Sequence, residues 1–130
     1  MAVKSLERIL YVEDEPDIRA VARLALEAVG GFNVCICESG KAAIDAAPGF
    51  NPDLILLDVM MPGMDGPSTL SALRELPDLQ ETPIVFMTAK VQANEVARYR
   101  QQGAIDVIAK PFDPMTLSGT VRDIWNKHHG

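Results

Sequence analysis

A doubly wound α/β fold is what this sequence predicts: one five-stranded parallel sheet in the order 2-1-3-4-5, with helices on both faces. Three observations carry that expectation. Apolar strand-like runs and amphipathic segments alternate five times along the chain, the pattern of βαβ units sharing one sheet. The runs are aliphatic and do not alternate with polar residues, Leu54-Ile55-Leu56-Leu57 above all, as in strands buried on both faces. Each run stops at a polar residue followed by a turn, and ligands collect at that edge of such sheets.

In order, Ile9-Leu10-Tyr11-Val12 reads as the first strand, ended by Glu13-Asp14-Glu15-Pro16. Pro16 fits the first turn of a helix, with Asp14 or Glu15 near its cap. Ile18, Val21, Ala22, Ala25, Leu26 and Val29 share one face of that helix, and Gly30-Gly31 stops it. Phe32 to Cys37 is the second strand. Ser39-Gly40 opens a short helix through Ala47, which Pro48-Gly49 breaks. Leu54 to Leu57 is the central strand, followed by a Pro/Gly loop and a helix from near Pro67 that carries Leu70, Leu73 and Leu76 and ends at Pro77. Ile84 to Met87 is the fourth strand, finishing at Thr88-Ala89-Lys90. A helix from about Gln92 to Gln102 stops at Gly103. Val107-Ile108-Ala109 is the fifth strand, ended by Lys110-Pro111-Phe112, and Asp113-Pro114 caps a last helix carrying Met115, Leu117, Val121, Ile124 and Trp125.

The bulk properties fit one domain, residues 1–130, with no linker, repeat or output domain. The chain has 130 residues, 48% hydrophobic and 23% charged, enough to bury a core and too apolar for disorder. A net charge of -6 disfavours a phosphate backbone as partner, which needs clustered Lys and Arg, but allows a metal ion or a cationic surface. Cys35 and Cys37 stand two apart on a strand, on one side yet too far apart for an unstrained disulfide. They read as small core hydrophobes with free thiols, which fits a reducing compartment. No apolar stretch reaches membrane-spanning length, and Ile9 to Val12 is too short for a signal-peptide core. A soluble cytoplasmic protein is expected.

The strand assignments place the chemistry. Strands one and three flank the topological switch point, and their carboxyl ends carry Glu13, Asp14 and Asp58; strands four and five end in Thr88 and Lys110 on the same edge. Carboxylates this close raise at least one pKa unless a cation intervenes. All-oxygen ligation suits a hard divalent ion such as Mg²⁺. A spare carboxylate beside an ammonium and a hydroxyl suits phosphoryl transfer, with Asp58 as nucleophile.

Val12-Glu13-Asp14-Glu15, the run from Leu57 to Gly66 (Leu-Asp-Val-Met-Met-Pro-Gly-Met-Asp-Gly), Met87-Thr88-Ala89-Lys90 and Ala109-Lys110-Pro111-Phe112 together resemble the four motifs of two-component response-regulator receiver domains, of the single-domain chemotaxis-regulator type. The resemblance is ordered and spans essentially the whole chain, and it implies the flavodoxin-like form of the doubly wound fold. It implies a sensor histidine kinase or phosphotransfer protein as phosphoryl donor, Asp58 as acceptor, and an unknown downstream protein. Mg²⁺ would be held by Asp14, Asp58 and the main-chain carbonyl of Met60, with Glu13 acting through a metal-bound water. Thr88 would move toward the phosphoryl group and Lys110 bridge to it. A cis peptide at Lys110-Pro111, a monomer or a phosphorylation-dependent dimer, and no enzymatic turnover beyond autophosphorylation from small donors and autodephosphorylation complete the implication.

Two positions depart from the family. Glu13 stands where Asp is commoner, and Val107 stands where Tyr or Phe often couples to the threonine. Signalling is therefore expected to rest on the loop after Thr88 and the helix beyond it. Two rivals stand beside this reading: a degenerate receiver binding protein without phosphate, and an aspartyl-nucleophile hydrolase, which needs a second Asp where Met60 stands. Met60, Met61 and Met64 read as packing or adaptable contact surface. His128 and His129 read as solvated.

Overall fold

A computed structural model describes residues 5–129. Five parallel strands, β1 (Arg8–Val12), β2 (Asn33–Cys37), β3 (Leu54–Asp58), β4 (Ile84–Thr88) and β5 (Asp106–Ala109), form one sheet in the order β2-β1-β3-β4-β5. This is the expected fold class. β3 and β4 are buried at every residue, so side chains of both parities meet a core and no polar alternation appears in their sequences. One core gathers Leu10, Val12, Ile55, Leu57, Ile84 and Phe86 beneath α2 (Gly40–Phe50), α3 (Gly66–Arg74) and α4 (Ala93–Gln101). The other gathers Ile9, Tyr11, Leu54, Leu56, Val85 and Met87 beneath α1 (Pro16–Arg23) and α5 (Leu117–His129). The register sets Val12 opposite both Cys37 and Leu57, Asp58 opposite Met87, and Thr88 opposite Ala109. The strands therefore end level, and the residues just beyond them share one edge. No helix among the described residues is long and apolar enough to cross a membrane.

Four local expectations are corrected. α1 runs on into a π-helical turn, Leu24–Val29, and the wider turn rotates the residues after it. Ala22, Ala25 and Leu26 are fully buried, but Val21 and Val29 are 39% and 46% exposed. The turn is locked from α5. The Ala25 carbonyl accepts from the Ser118 hydroxyl at 2.6 Å and from Gly30 N at 3.2 Å, and Arg122 Nη2 donates to the Gly30 carbonyl at 2.7 Å.

α2 does not end at Ala47 but continues through Pro48 and Gly49 to Phe50. Its last turn closes when Asn51 N donates to the Ala47 carbonyl at 2.9 Å, with Asn51 in the left-handed region. Arg8 holds it in place, donating from Nε to the Phe50 carbonyl at 2.7 Å and stacking on the Phe50 ring at 4.5 Å. α3 ends at Arg74, which leaves Leu76 beyond it, before a 3₁₀ turn at Pro77–Leu79. α5 begins at Leu117 rather than at Asp113-Pro114. Asp113 instead makes a turn, its Oδ1 accepting from Met115 N at 2.8 Å and its carbonyl from Thr116 N and Leu117 N. Met115 is left 71% exposed.

Candidate functional site

The level strand ends bring three carboxylates together. Glu13, Asp14 and Asp58 each present an oxygen, and these oxygens lie within 4.8 Å of one another. Glu13 is fully buried and Asp58 only 3% exposed, while Asp14 is half-buried. From the end of β5, Lys110 Nζ donates to Glu13 Oε1 at 2.8 Å and to Asp58 Oδ1 at 3.3 Å. The Lys110-Pro111 peptide is cis, as expected.

Burial pushes the Glu13 carboxyl up to about 7, against a partial pull-back from the Lys110 hydrogen bond. Burial raises Asp58 as well, opposed by its hydrogen bonds and by the Lys110 charge. Burial alone would lower Lys110, but the two carboxylates outweigh it and its pKa is raised. Three carboxylates share one ammonium, and the deficit is a cation's worth of charge. Among the described residues, two buried side-chain oxygens lack a hydrogen-bond partner: Asp58 Oδ2 and the Tyr11 hydroxyl. A buried carboxylate oxygen does not stay unsatisfied without cost, so Asp58 Oδ2 has a free coordination position. Three oxygen donors and that free position fit a hard divalent ion.

The other residues singled out in the sequence have the following surroundings. Thr88 is buried at the end of β4, where its hydroxyl accepts from Lys90 N at 3.1 Å, and no hydrogen bond joins it to the cluster. Met60 is 68% exposed. Met60 and Met61, with Pro62, Pro67, Lys90, Arg98 and Tyr99, line a surface groove of about 610 Å³; Met61 is also buried in the core beneath α2, α3 and α4. His128 and His129 are exposed, though His129 packs on the Trp125 ring at 3.9 Å. Cys35 and Cys37 are free thiols.

Sequence reasoning did not single out two residues next to the cluster, Tyr11 and Arg19. Tyr11 lies two residues before Glu13 and so on the same side of β1, a signal available from strand alternation. Arg19 reaches back from α1 to the acidic loop. Gly66, which the sequence reads as shaping the loop around Asp58, packs so closely that a Cβ there would stand 2.7 Å from the Asp58 carbonyl oxygen.

Fold and site together define a doubly wound α/β protein with three carboxylates and a lysine at its topological switch point. The chain matches the response regulator receiver domain family over residues 9–122 and belongs to it; it is a receiver domain of two-component response regulators, a signalling family rather than one of metabolic enzymes. Receiver domains bind Mg²⁺ at an acidic pocket, and the Glu13, Asp14 and Asp58 cluster is an acidic pocket of that kind. The chain is 35% identical to the transcriptional regulatory protein CseB of Streptomyces avermitilis over 116 residues, 89% of this chain and 48% of that protein. It is 34% identical to the transcriptional regulatory protein CpxR of Escherichia coli K12 over 124 residues, 95% of this chain and 51% of that protein. It therefore spans about half the length of these curated relatives. Among solved structures, the chemotaxis protein CheY4 of Vibrio cholerae matches with a TM-score of 0.84 at 28% identity, over 92% of this chain and 99% of that one. The N-terminal domain of a response regulator receiver protein from Methanoculleus marisnigri matches with a TM-score of 0.74 at 34% identity, over 92% and 96%.

Proposed function

We propose that this protein accepts a phosphoryl group on Asp58 from a histidine kinase or phosphotransfer protein, with Mg²⁺, and signals by a conformational shift to a downstream protein. One observation carries the reading: Asp58 has one oxygen held by Lys110 and the other buried and unpartnered in an acidic cluster. Asp14, Asp58 and the Met60 carbonyl would hold the ion, with Glu13 acting through a water. When bound, the ion supplies charge neutralisation for the phosphoryl oxygens.

The protein's own groups do the rest. A carboxylate oxygen of Asp58 forms a bond to phosphorus as the phosphorus–nitrogen bond of the donor phosphohistidine breaks; the imidazole leaves with the bonding pair and takes up a proton. Lys110 offsets charge on the transferred group. Thr88 would donate its hydroxyl proton to a phosphoryl oxygen; the same hydroxyl accepts from Lys90 N at 3.1 Å across the β4–α4 loop, and movement toward the phosphoryl group would stretch and release that bond.

That release is the proposed start of the signal. Val107 is half-buried opposite Phe86, and Phe86 instead meets Tyr99 of α4 edge to face at 5.4 Å. The path from the loop into α4 thus fits the absence of an aromatic side chain at position 107. We propose a cytoplasmic location, and a receiver domain that is monomeric or dimerises on phosphorylation.

Incubation with acetyl phosphate and Mg²⁺, followed by intact mass measurement, tests the reading. A phosphoryl adduct on the wild type and none on Asp58→Ala is expected. Absence of the adduct, with no response to beryllofluoride, overturns it in favour of a phosphate-independent binding module. Steady turnover of unrelated phosphate esters overturns it in favour of a hydrolase.

A further inference from the structure

We propose that Arg19 is the positioning residue that turns Glu13 and Asp14 onto one side, so that two consecutive carboxylates serve a single cation site; the inference rests on reading them as metal ligands. Along a strand, consecutive side chains point to opposite faces. Glu13 and Asp14 are consecutive, yet both reach the 4.8 Å cluster with Asp58, so the chain has to turn between them. The extended ladder persists as far as the Glu13 amide, which donates to the Cys37 carbonyl at 3.0 Å. Beyond it, the two carbonyls that would diverge in a strand converge on a single guanidinium nitrogen. Arg19 Nη1 donates to the Glu13 carbonyl at 3.0 Å and to the Asp14 carbonyl at 2.9 Å.

Little else holds this turn. Glu15, the cap of α1, makes no side-chain cap bond, and Pro16 has no amide hydrogen to give. Among the described residues, the hydrogen bond made inside the loop itself, Glu15 N to Glu13 Oε2, is long at 3.4 Å. Arg19 is itself anchored, its amide donating to the Glu15 carbonyl at 3.0 Å, so the clamp transmits the rigidity of α1 to the ligand loop. Arginine suits the task because its planar fork carries fixed donors and a permanent charge.

Charge and clamp predict opposite signs. A guanidinium beside a cation site repels the cation, so removing it as a mere charge would tighten Mg²⁺ binding. Removing a clamp loosens the ligands and weakens binding, as loss of outer-shell partners of metal ligands does by about 10–100-fold. The test is calorimetric titration of the full chain with MgCl₂ for wild type, Arg19→Gln and Arg19→Lys. Arg23→Gln serves as a charge control, because Arg23 lies on the same helix and pairs with Glu27. Amide hydrogen exchange at Asp14 and Glu15 is read alongside, without metal.

Weakening of about tenfold or more in Arg19→Gln is expected. Arg19→Lys should be intermediate, because one ammonium on a shorter reach cannot serve both carbonyls fully. Arg23→Gln should match the wild type or bind slightly tighter, and metal-free exchange at Asp14 and Glu15 should be faster in both Arg19 variants. Wild-type or tighter Mg²⁺ binding in Arg19→Gln, with unchanged exchange, overturns the proposal. If Arg19→Gln does not fold, wild-type affinity and exchange in Arg19→Lys overturn it equally. If the wild type itself binds no Mg²⁺, the metal reading fails, and the exchange data still decide whether Arg19 holds the turn.

Discussion

Tyr11 brings a polar atom into a place that offers it nothing. Its side chain is fully buried among the aliphatic residues of the core beneath α1 and α5, and its hydroxyl has no partner. Burial, and then the nearby charges of Glu13 and Asp58, push its pKa far up, so the phenol stays neutral. An unsatisfied buried hydroxyl costs about 1–3 kcal/mol. Tyr11→Phe removes it without removing the ring, and is expected to raise stability by up to about 1 kcal/mol in urea unfolding while leaving phosphoryl uptake at Asp58 unchanged. A loss of stability in that variant would show that the hydroxyl holds a buried water. At this scale the sequence was informative where strand ends decide the outcome: Glu13, Asp14, Asp58 and Lys110 follow from a shared sheet edge. Thr88 follows from the same edge, but its present bond depends on a rotamer that the sequence does not fix: its hydroxyl accepts from Lys90 N.

Helices and loops were legible to the extent that their period was regular. α4 and all five strands fall where the apolar spacing puts them. The π-helical turn after α1 does not, because its extra residue is stabilised from outside, by Ser118 and Arg122 of α5, and the local pattern of Val21 to Val29 looks like an ordinary helix. α2 outlasts Pro48 for a similar reason, since Arg8 of β1 secures Phe50. The loop between β3 and α3 yields a prediction at this scale. A Cβ at Gly66 would stand 2.7 Å from the Asp58 carbonyl oxygen and 2.8 Å from the Val59 Cα, both fixed backbone atoms. Gly66→Ala is therefore expected to destabilise by about 2 kcal/mol and to slow acetyl-phosphate labelling of Asp58, read by intact mass. Gly63 makes the control: its φ is +76° but open space surrounds it, so Gly63→Ala should cost about 1 kcal/mol of backbone strain and leave the labelling rate alone.

For the whole molecule, the acidic cluster is a liability that a bound cation removes. Glu13 titrates near 4.5 in an unfolded chain and near 7 when folded, so between those values the native state holds more protons. The metal-free protein consequently loses stability as pH rises from about 4.5 to about 7, by about 3 kcal/mol from this group. Urea midpoints across that range should show the decline in wild type and a flatter curve in Glu13→Gln. Saturating Mg²⁺ near pH 7.5 should restore about 2–3 kcal/mol by mass action at about a hundred times its dissociation constant. A wild-type curve as flat as that of the variant would refute the shifted titration. The Glu13–Lys110 hydrogen bond, which spans 97 positions of sequence, also bears on how the protein comes into being. On a ribosome adding about 5–20 residues per second, the three carboxylates have all been made once β3 is complete, whereas Lys110 arrives roughly 3–10 seconds later. Until then the nascent chain carries an acidic trio with no cation of its own and a central strand lacking its β4 neighbour. The ability to receive a signal is thus acquired only once β5 has been made, and a chain released before β5 would be born without it.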